Sequence, residues 1–193
     1  SGAARALDAK DDGLGFGRSA MLGFLPSGSL GVWSPGTTPS SLPDGMGRFV
    51  QRGVDLVVQL HYHPTGKPET DRSSLGIHFA KGPVTKRVGE IALENWTFNI
   101  PPGEKNHRVT ATYTLPTEAI FLSAAPHMHL LGKEMKVRAV LPGGVVRPLI
   151  WVRRWSFSWK DAYVYREPVR LPSGTRIEME AFDDYVLGRP KID

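Results

Sequence analysis

The chain has 193 residues, enough for one large or two small domains, and its 40% apolar and 22% charged residues are typical of a globular protein. The net charge of +5 comes from scattered basic residues whose densest short cluster is Arg153-Arg154, so we expect no nucleic-acid interface. Disulfides are excluded because there is no cysteine, and no apolar run reaches the roughly 18 residues of a membrane-spanning helix.

Turn signals dominate residues 1–48, and the remainder alternates between short apolar segments and Gly/Pro turns. Helical periodicity is almost absent. We predict roughly nine or ten short strands, at a spacing typical of an all-β antiparallel sandwich or jelly roll. The predicted strands are 55–63, 75–80, 91–100, 107–115, 119–129, 134–141, 145–152, an aromatic stretch at 155–159, 163–171 and 175–182.

Two histidine pairs with the spacing His-x-His are the main candidates for chemistry. Side chains alternate across an extended segment, so His127 and His129 are expected on one face, with Cα atoms about 6.6 Å apart. Two imidazoles placed in this way can close on one metal at about 2.0 Å per nitrogen. The second pair, His61 and His63, lies opposite a predicted core face, and four of the six histidines fall in these two pairs. We therefore favour metal ligands over ordinary surface histidines.

A cupin-like metal site is a weaker possibility at the same position. Cupins hold a metal with two histidines and a glutamate from one hairpin, and Glu134 follows His127 and His129 here. The match is partial, because Phe121 stands where that pattern expects a glycine. The sequence has no G-x-S-x-G, no P-loop and no G-x-G-x-x-G followed by a helix, so the enzyme classes that use those motifs find no support.

Four ordered sequence blocks carry a more specific resemblance. They are residues 60–64 (Leu-His-Tyr-His-Pro), 71–77 (Asp-Arg-Ser-Ser-Leu-Gly-Ile), 100–105 (Ile-Pro-Pro-Gly-Glu-Lys) and 127–133 (His-Met-His-Leu-Leu-Gly-Lys). In this order they resemble the copper type II, ascorbate-dependent monooxygenases, the family of dopamine β-monooxygenase and peptidylglycine α-hydroxylating monooxygenase. The bacterial relatives are the most similar, since they also have segments like 33–37 and 42–45. The resemblance covers most of residues 30–185.

The resemblance implies two jelly-roll domains that each hold one copper. Residues 1–66 would be the C-terminal part of the first domain, and residues 67–193 the second domain without its last strands. His61 matches a ligand of the electron-transfer copper, whereas His127 and His129 match ligands of the copper that activates O₂. Copper and ascorbate, or another reductant, are the implied cofactors. A small molecule with a C–H bond and O₂ would be the substrates, the electron donor is not identified, and the implied location is periplasmic or secreted.

The chain also departs from the family pattern. An adjacent His-His pair is expected upstream, but residues 1–60 contain no histidine. The family's methionine ligand has no match, because Met179 comes too early and Met128 is expected to face away from its neighbouring histidines. Ala125 replaces an arginine that the peptide-hydroxylating relative uses to hold a carboxylate. Since the chain begins Ser-Gly-Ala, we expect a processed product or a piece of a longer protein. A non-catalytic β-sandwich module for metal binding or interaction is the second hypothesis, and a cupin-like metalloenzyme is the third.

Overall fold

The computed structural model describes residues 2–13, 15–17, 28–33, 41–159 and 161–185. Residues 34–37 of the block at 33–37 lie outside these ranges. The described chain has one short helix, α1 (Gly2–Asp8), and all its other regular elements are strands, most of them in antiparallel sheets, which confirms the all-β prediction. Among the described residues, no helix has the length and apolarity needed to cross a membrane. The strands are β1 (Met46–Gly47), β2 (Lys86–Arg87), β3 (His107–Thr114), β4 (Ala119–Ala124), β5 (Gly132–Val140), β6 (Val146–Val152), β7 (Tyr163–Leu171) and β8 (Arg176–Asp183).

The described residues form two compact units. The first holds the described residues up to 32 and from 41 to 90, and the second holds Trp33 and the described residues from 91 onward. In the first unit, the only regular sheet among the described residues is the short parallel pair of β1 and β2. The sequence resemblance predicts two jelly-roll domains with a boundary between residues 66 and 67. The compact units do not test that boundary, which stays a prediction.

The second unit contains a four-stranded antiparallel sheet in the order β3-β8-β5-β6 and a two-stranded antiparallel sheet of β4 and β7. Strand β8 shows why these segments pair, because apolar and charged residues alternate along it. Ile177, Met179 and Ala181 are buried, whereas Glu178 and Glu180 face outward. On the outward face Glu178 pairs with Arg138 of β5, and the buried face is apolar from Ile177 to Ala181 and ends at the buried Asp183.

Two clusters of buried side chains make up the core of the second unit. Both contain residues of β5 and β8, so they lie along the same face of the four-stranded sheet. Residues from the two-stranded sheet pack against the second cluster, so the two sheets share it. The first cluster is Val109, Met128, Met135, Met179 and Ala181; the second is Leu115, Ala139, Leu149, Leu171 and Ile177, with Ala119, Phe121 and Val169 from the smaller sheet against it.

The strand predictions succeeded in one part of the chain and failed in another. Six predicted strands correspond to β3 through β8, although β4 ends at Ala124, just before Pro126, whose missing N–H is unsuited to a sheet ladder. The predicted strands 55–63, 75–80 and 91–100 are absent, and residues 155–159 also form a loop with a turn rather than the predicted strand. No described segment pairs with them, and a strand needs a neighbour to satisfy its backbone groups. The predicted core face of the first is solvent-exposed, with Leu60 at 51% and Tyr62 at 66% exposure.

Candidate metal centre

The segment between β4 and β5 carries the His127/His129 pair. It is not a strand, but its side chains still alternate, because Met128 is buried while both histidines are exposed. Met128 belongs to the first core cluster, so its buried side chain holds the segment against the core. This confirms that Met128 faces away from its neighbouring histidines.

The structure brings His127 and His129 together. Their ring centroids lie 5.4 Å apart, with the rings at 85° to each other. Two imidazoles that hold one metal at about 2.0 Å from each nitrogen have centroids roughly 5 to 5.5 Å apart at tetrahedral or trigonal angles. The observed spacing therefore fits two ligands of a single metal ion.

Trp155 braces this segment from the loop that follows β6. Its indole Nε1 donates to the His129 carbonyl oxygen at 3.2 Å, and its backbone N–H donates to the Lys133 carbonyl oxygen at 2.8 Å. The Trp155 ring also stands edge-on to His127, with centroids 6.5 Å apart. Trp155 is thus in contact with the backbone of one histidine and the ring of the other.

Gly132 allows the close packing on which this arrangement depends. Its N–H donates to the His129 carbonyl oxygen at 3.0 Å, which closes the turn into β5. A Cβ atom at this position would lie 2.7 Å from Cβ of Met128 and 2.8 Å from Cδ1 of Trp155. Real Cβ atoms do not approach other carbons so closely, so only glycine fits here without a shift of its neighbours.

Acidic residues at the end of β8 lie close to the same turn. Asp183 is buried and pairs in register with both Gly132 and His107. Burial raises the pKa of Asp183, and the nearby rings of His107 and His129 partly oppose that rise. Asp184 donates its backbone N–H to the Leu131 carbonyl oxygen at 2.9 Å, which ties β8 to the histidine segment.

Glu134 does not join the histidines. Its carboxylate accepts a hydrogen bond from Trp151 Nε1 at 2.6 Å and pairs with Lys136 at 2.8 Å. These hydrogen bonds, that to Lys136 foremost, hold the pKa of Glu134 below its usual range. Across the ranges that the structure describes, no group of three or more His, Asp or Glu residues is arranged to hold a metal. His127 and His129 are therefore two candidate ligands that no third His, Asp or Glu of the described residues joins.

The other pair, His61 and His63, lies in the first unit, on the exposed segment that forms no strand. Between them, the Tyr62 hydroxyl donates to Oδ2 of Asp71 at 2.8 Å, and the Ser73 hydroxyl donates to the same oxygen at 2.8 Å. The Tyr62 bond raises the pKa of Tyr62 and lowers that of Asp71. Two blocks of the resemblance, 60–64 and 71–77, are thus joined by a side-chain network.

An open cleft of about 250 Å³ lies beside the second-unit pair, lined by His129, Leu130, Leu131 and Phe157. In the aromatic stretch, Trp155 is half-buried against the first core cluster, whereas Phe157 is 40% exposed. Gly132 is the sequence feature that could have indicated the close packing at this turn, because a glycine in a strand often marks a close backbone approach. No local pattern identifies Trp155 or Phe157, which are distant in sequence from the histidines.

Comparison with known proteins found no match among family models, curated proteins or solved structures.

Proposed function

We propose that this protein is a copper-dependent monooxygenase in which His127 and His129 hold the copper that activates O₂. The observation that carries the proposal is the pair itself, two exposed imidazoles with ring centroids 5.4 Å apart on a braced segment. Imidazole nitrogen suits both Cu(I) and Cu(II). The proposal includes jelly-roll domains, a reductant such as ascorbate, and a periplasmic or secreted location, all of which come from the sequence resemblance.

The proposed reaction inserts one oxygen atom of O₂ into a C–H bond of a small molecule. The other oxygen atom leaves as water, and the reductant supplies two electrons while two protons are taken up. Bound copper would supply the one-electron chemistry that O₂ activation requires. The chain's own residues position the ligands: Met128 fixes the segment in the core, Trp155 holds the His129 backbone, and both imidazoles face solvent, from which substrate and O₂ arrive.

We assign His61 and His63 to a second copper, by their spacing and, for His61, by the resemblance. Tyr62 lies between them and is tied to Asp71, so the segment is constrained by a side-chain bond rather than by a sheet. Met128 is excluded as a thioether ligand because it is buried in the core on the opposite side.

Copper titration of the purified chain tests the proposal. Cu(I) competition titration and metal analysis should show that the wild type binds one equivalent of copper that His127→Ala/His129→Ala does not bind, whereas copper held by His61 and His63 should remain in that variant. His78→Ala is the matched control, because His78 is exposed and belongs to neither pair. Equally weak binding by the wild type and the double variant would overturn the proposal.

A non-catalytic β module is the second candidate, favoured by the finding that no three ligands converge among the described residues. The two candidates differ in turnover: a monooxygenase consumes O₂ in the presence of ascorbate and a substrate, and a module does not. Glu134→Gln separates the cupin-like alternative, because it removes metal binding only if Glu134 is a ligand. The contacts of Glu134 with Trp151 and Lys136 argue against that outcome.

A further inference from the structure

We infer that the cleft beside His129 is a docking site for the apolar end of a small, uncharged molecule. The cleft has a volume of about 250 Å³ and is open to solvent. The inference deepens the proposed function, on which it rests for the chemistry that follows binding. Docking itself does not require a metal and can be measured without one.

The residues that line the cleft disfavour a charged ligand. Apart from His129, the described residues that line the cleft are Leu130, Leu131 and Phe157, none of which carries a charge. Lys133, which follows two residues after Leu131 in the chain, pairs with Asp184 at 3.5 Å and bonds to Asn106. An ionic group placed against Leu130, Leu131 and Phe157 would lose water without gaining a partner from these three side chains, which is unfavourable. An apolar group would instead cover exposed leucine and phenylalanine carbons.

The size of the cleft limits the occupant. A buried apolar cavity of about 150 Å³ is enough for benzene, so about 250 Å³ accommodates one ring with a short substituent. A folded protein segment is too large for it. A small molecule is therefore the occupant that fits, and it would place only its apolar end in the cleft.

The cleft is also preformed. The turn between His129 and Gly132, closed at 3.0 Å, fixes the backbone that carries both leucines. The Trp155 indole holds the same turn from the loop that carries Phe157. Preformed walls reduce the ordering cost of binding. Because His129 lines the cleft and is also half of the histidine pair, a docked group contacts the candidate metal centre directly.

Three fluorinated probes of similar size test the inference in the metal-free chain. ¹⁹F NMR titration should show that 4-fluorotoluene binds at least about fivefold more tightly than 4-fluorobenzoate or 4-fluorobenzylammonium. Phe157→Ser and Leu130→Ser should each weaken the neutral probe by about fivefold. Both side chains are partly exposed, so the variants are expected to fold.

Val164→Ser is the matched control, because Val164 is 74% exposed on β7 and does not line the cleft. It should leave the affinity unchanged. Equal affinity for the three probes would overturn the inference, as would an equal effect of Val164→Ser and Phe157→Ser. If the probe binds but copper does not, the proposed function fails and the docking site stands. If copper binds but the probe does not, the docking site fails and the copper proposal stands.

Discussion

Gly132→Ala is the sharpest test of how the histidine pair is held. The new Cβ atom would lie 2.7 Å from Cβ of Met128 and 2.8 Å from Cδ1 of Trp155. Carbon atoms in contact normally stay about 3.5 to 4.0 Å apart, so two overlaps of roughly 1 Å must be relieved. Cβ of Met128 cannot rotate away, because it is attached directly to the backbone of a buried residue.

The expected magnitude follows from two opposing effects. Overpacking of this kind costs about 1 to 3 kcal/mol. Against it, alanine restricts the unfolded chain and contributes about 0.4 to 1 kcal/mol of stability. Gly132 has no positive φ, so no backbone strain adds to the cost. We expect the free energy of unfolding to fall by about 1 to 2 kcal/mol, and copper affinity to fall because relief of the overlap displaces the histidine segment.

Urea denaturation followed by tryptophan fluorescence measures the change in stability, and Cu(I) competition measures the change in affinity. Gly89→Ala is the control, because no atom lies within 4 Å of its added Cβ and its φ is not positive. It should be neutral or slightly stabilising. A Gly132→Ala variant as stable as the wild type, with unchanged copper affinity, would refute the close-packing argument.

Two further substitutions probe the frame of the second unit. Trp155→Phe removes the donor to the His129 carbonyl, so we expect a loss of about 0.5 to 1.5 kcal/mol in urea denaturation, and weaker copper binding. An unchanged free energy of unfolding and an unchanged copper affinity would show that the indole hydrogen bond does not support the His127/His129 pair. Glu178→Gln removes the pairing that lowers the pKa of Glu178, with Arg138 the first contributor and Arg176 the second. Because the folded-state pKa is lowered, this stability is present above the unfolded pKa and is lost as pH falls through the folded one. The variant should be less stable by under about 1 kcal/mol at pH 7, since the arginines are well exposed, and equally stable in acid. A difference that persists in acid would contradict the ion-pair explanation.

The second unit was predictable from sequence because its strands find partners. The segment 175–182 was predicted as a strand and corresponds to β8, in which Ile177 and Met179 are buried. Segment 55–63 alternates equally well, yet Leu60 is half exposed. Alternation reports which face of a strand is apolar, but it does not report whether a neighbouring strand is present to cover that face.

The candidate site was predictable only in part, for a related reason. The spacing of His127 and His129 placed two rings on one side, because it depends on local geometry alone. The Trp155 indole bond to His129 spans 26 residues. Such a contact is set by how the strands and the loop after β6 fold back on each other, and no short window of sequence contains it.

The two histidine pairs differ in how firmly they are held, and this difference predicts the order in which copper fills them. A buried methionine, a glycine contact and a tryptophan hold His127 and His129, whereas an exposed bond between Tyr62 and Asp71 constrains the other pair. Ligands that are already in place lose less conformational freedom when a metal binds, so their site has the higher affinity. The first equivalent of Cu(I) should therefore disappear in His127→Ala/His129→Ala and persist in His61→Ala/His63→Ala. The reverse order would mean that the segment between β4 and β5, despite its rigid frame, is not the stronger copper site, and that preorganisation does not decide affinity in this protein.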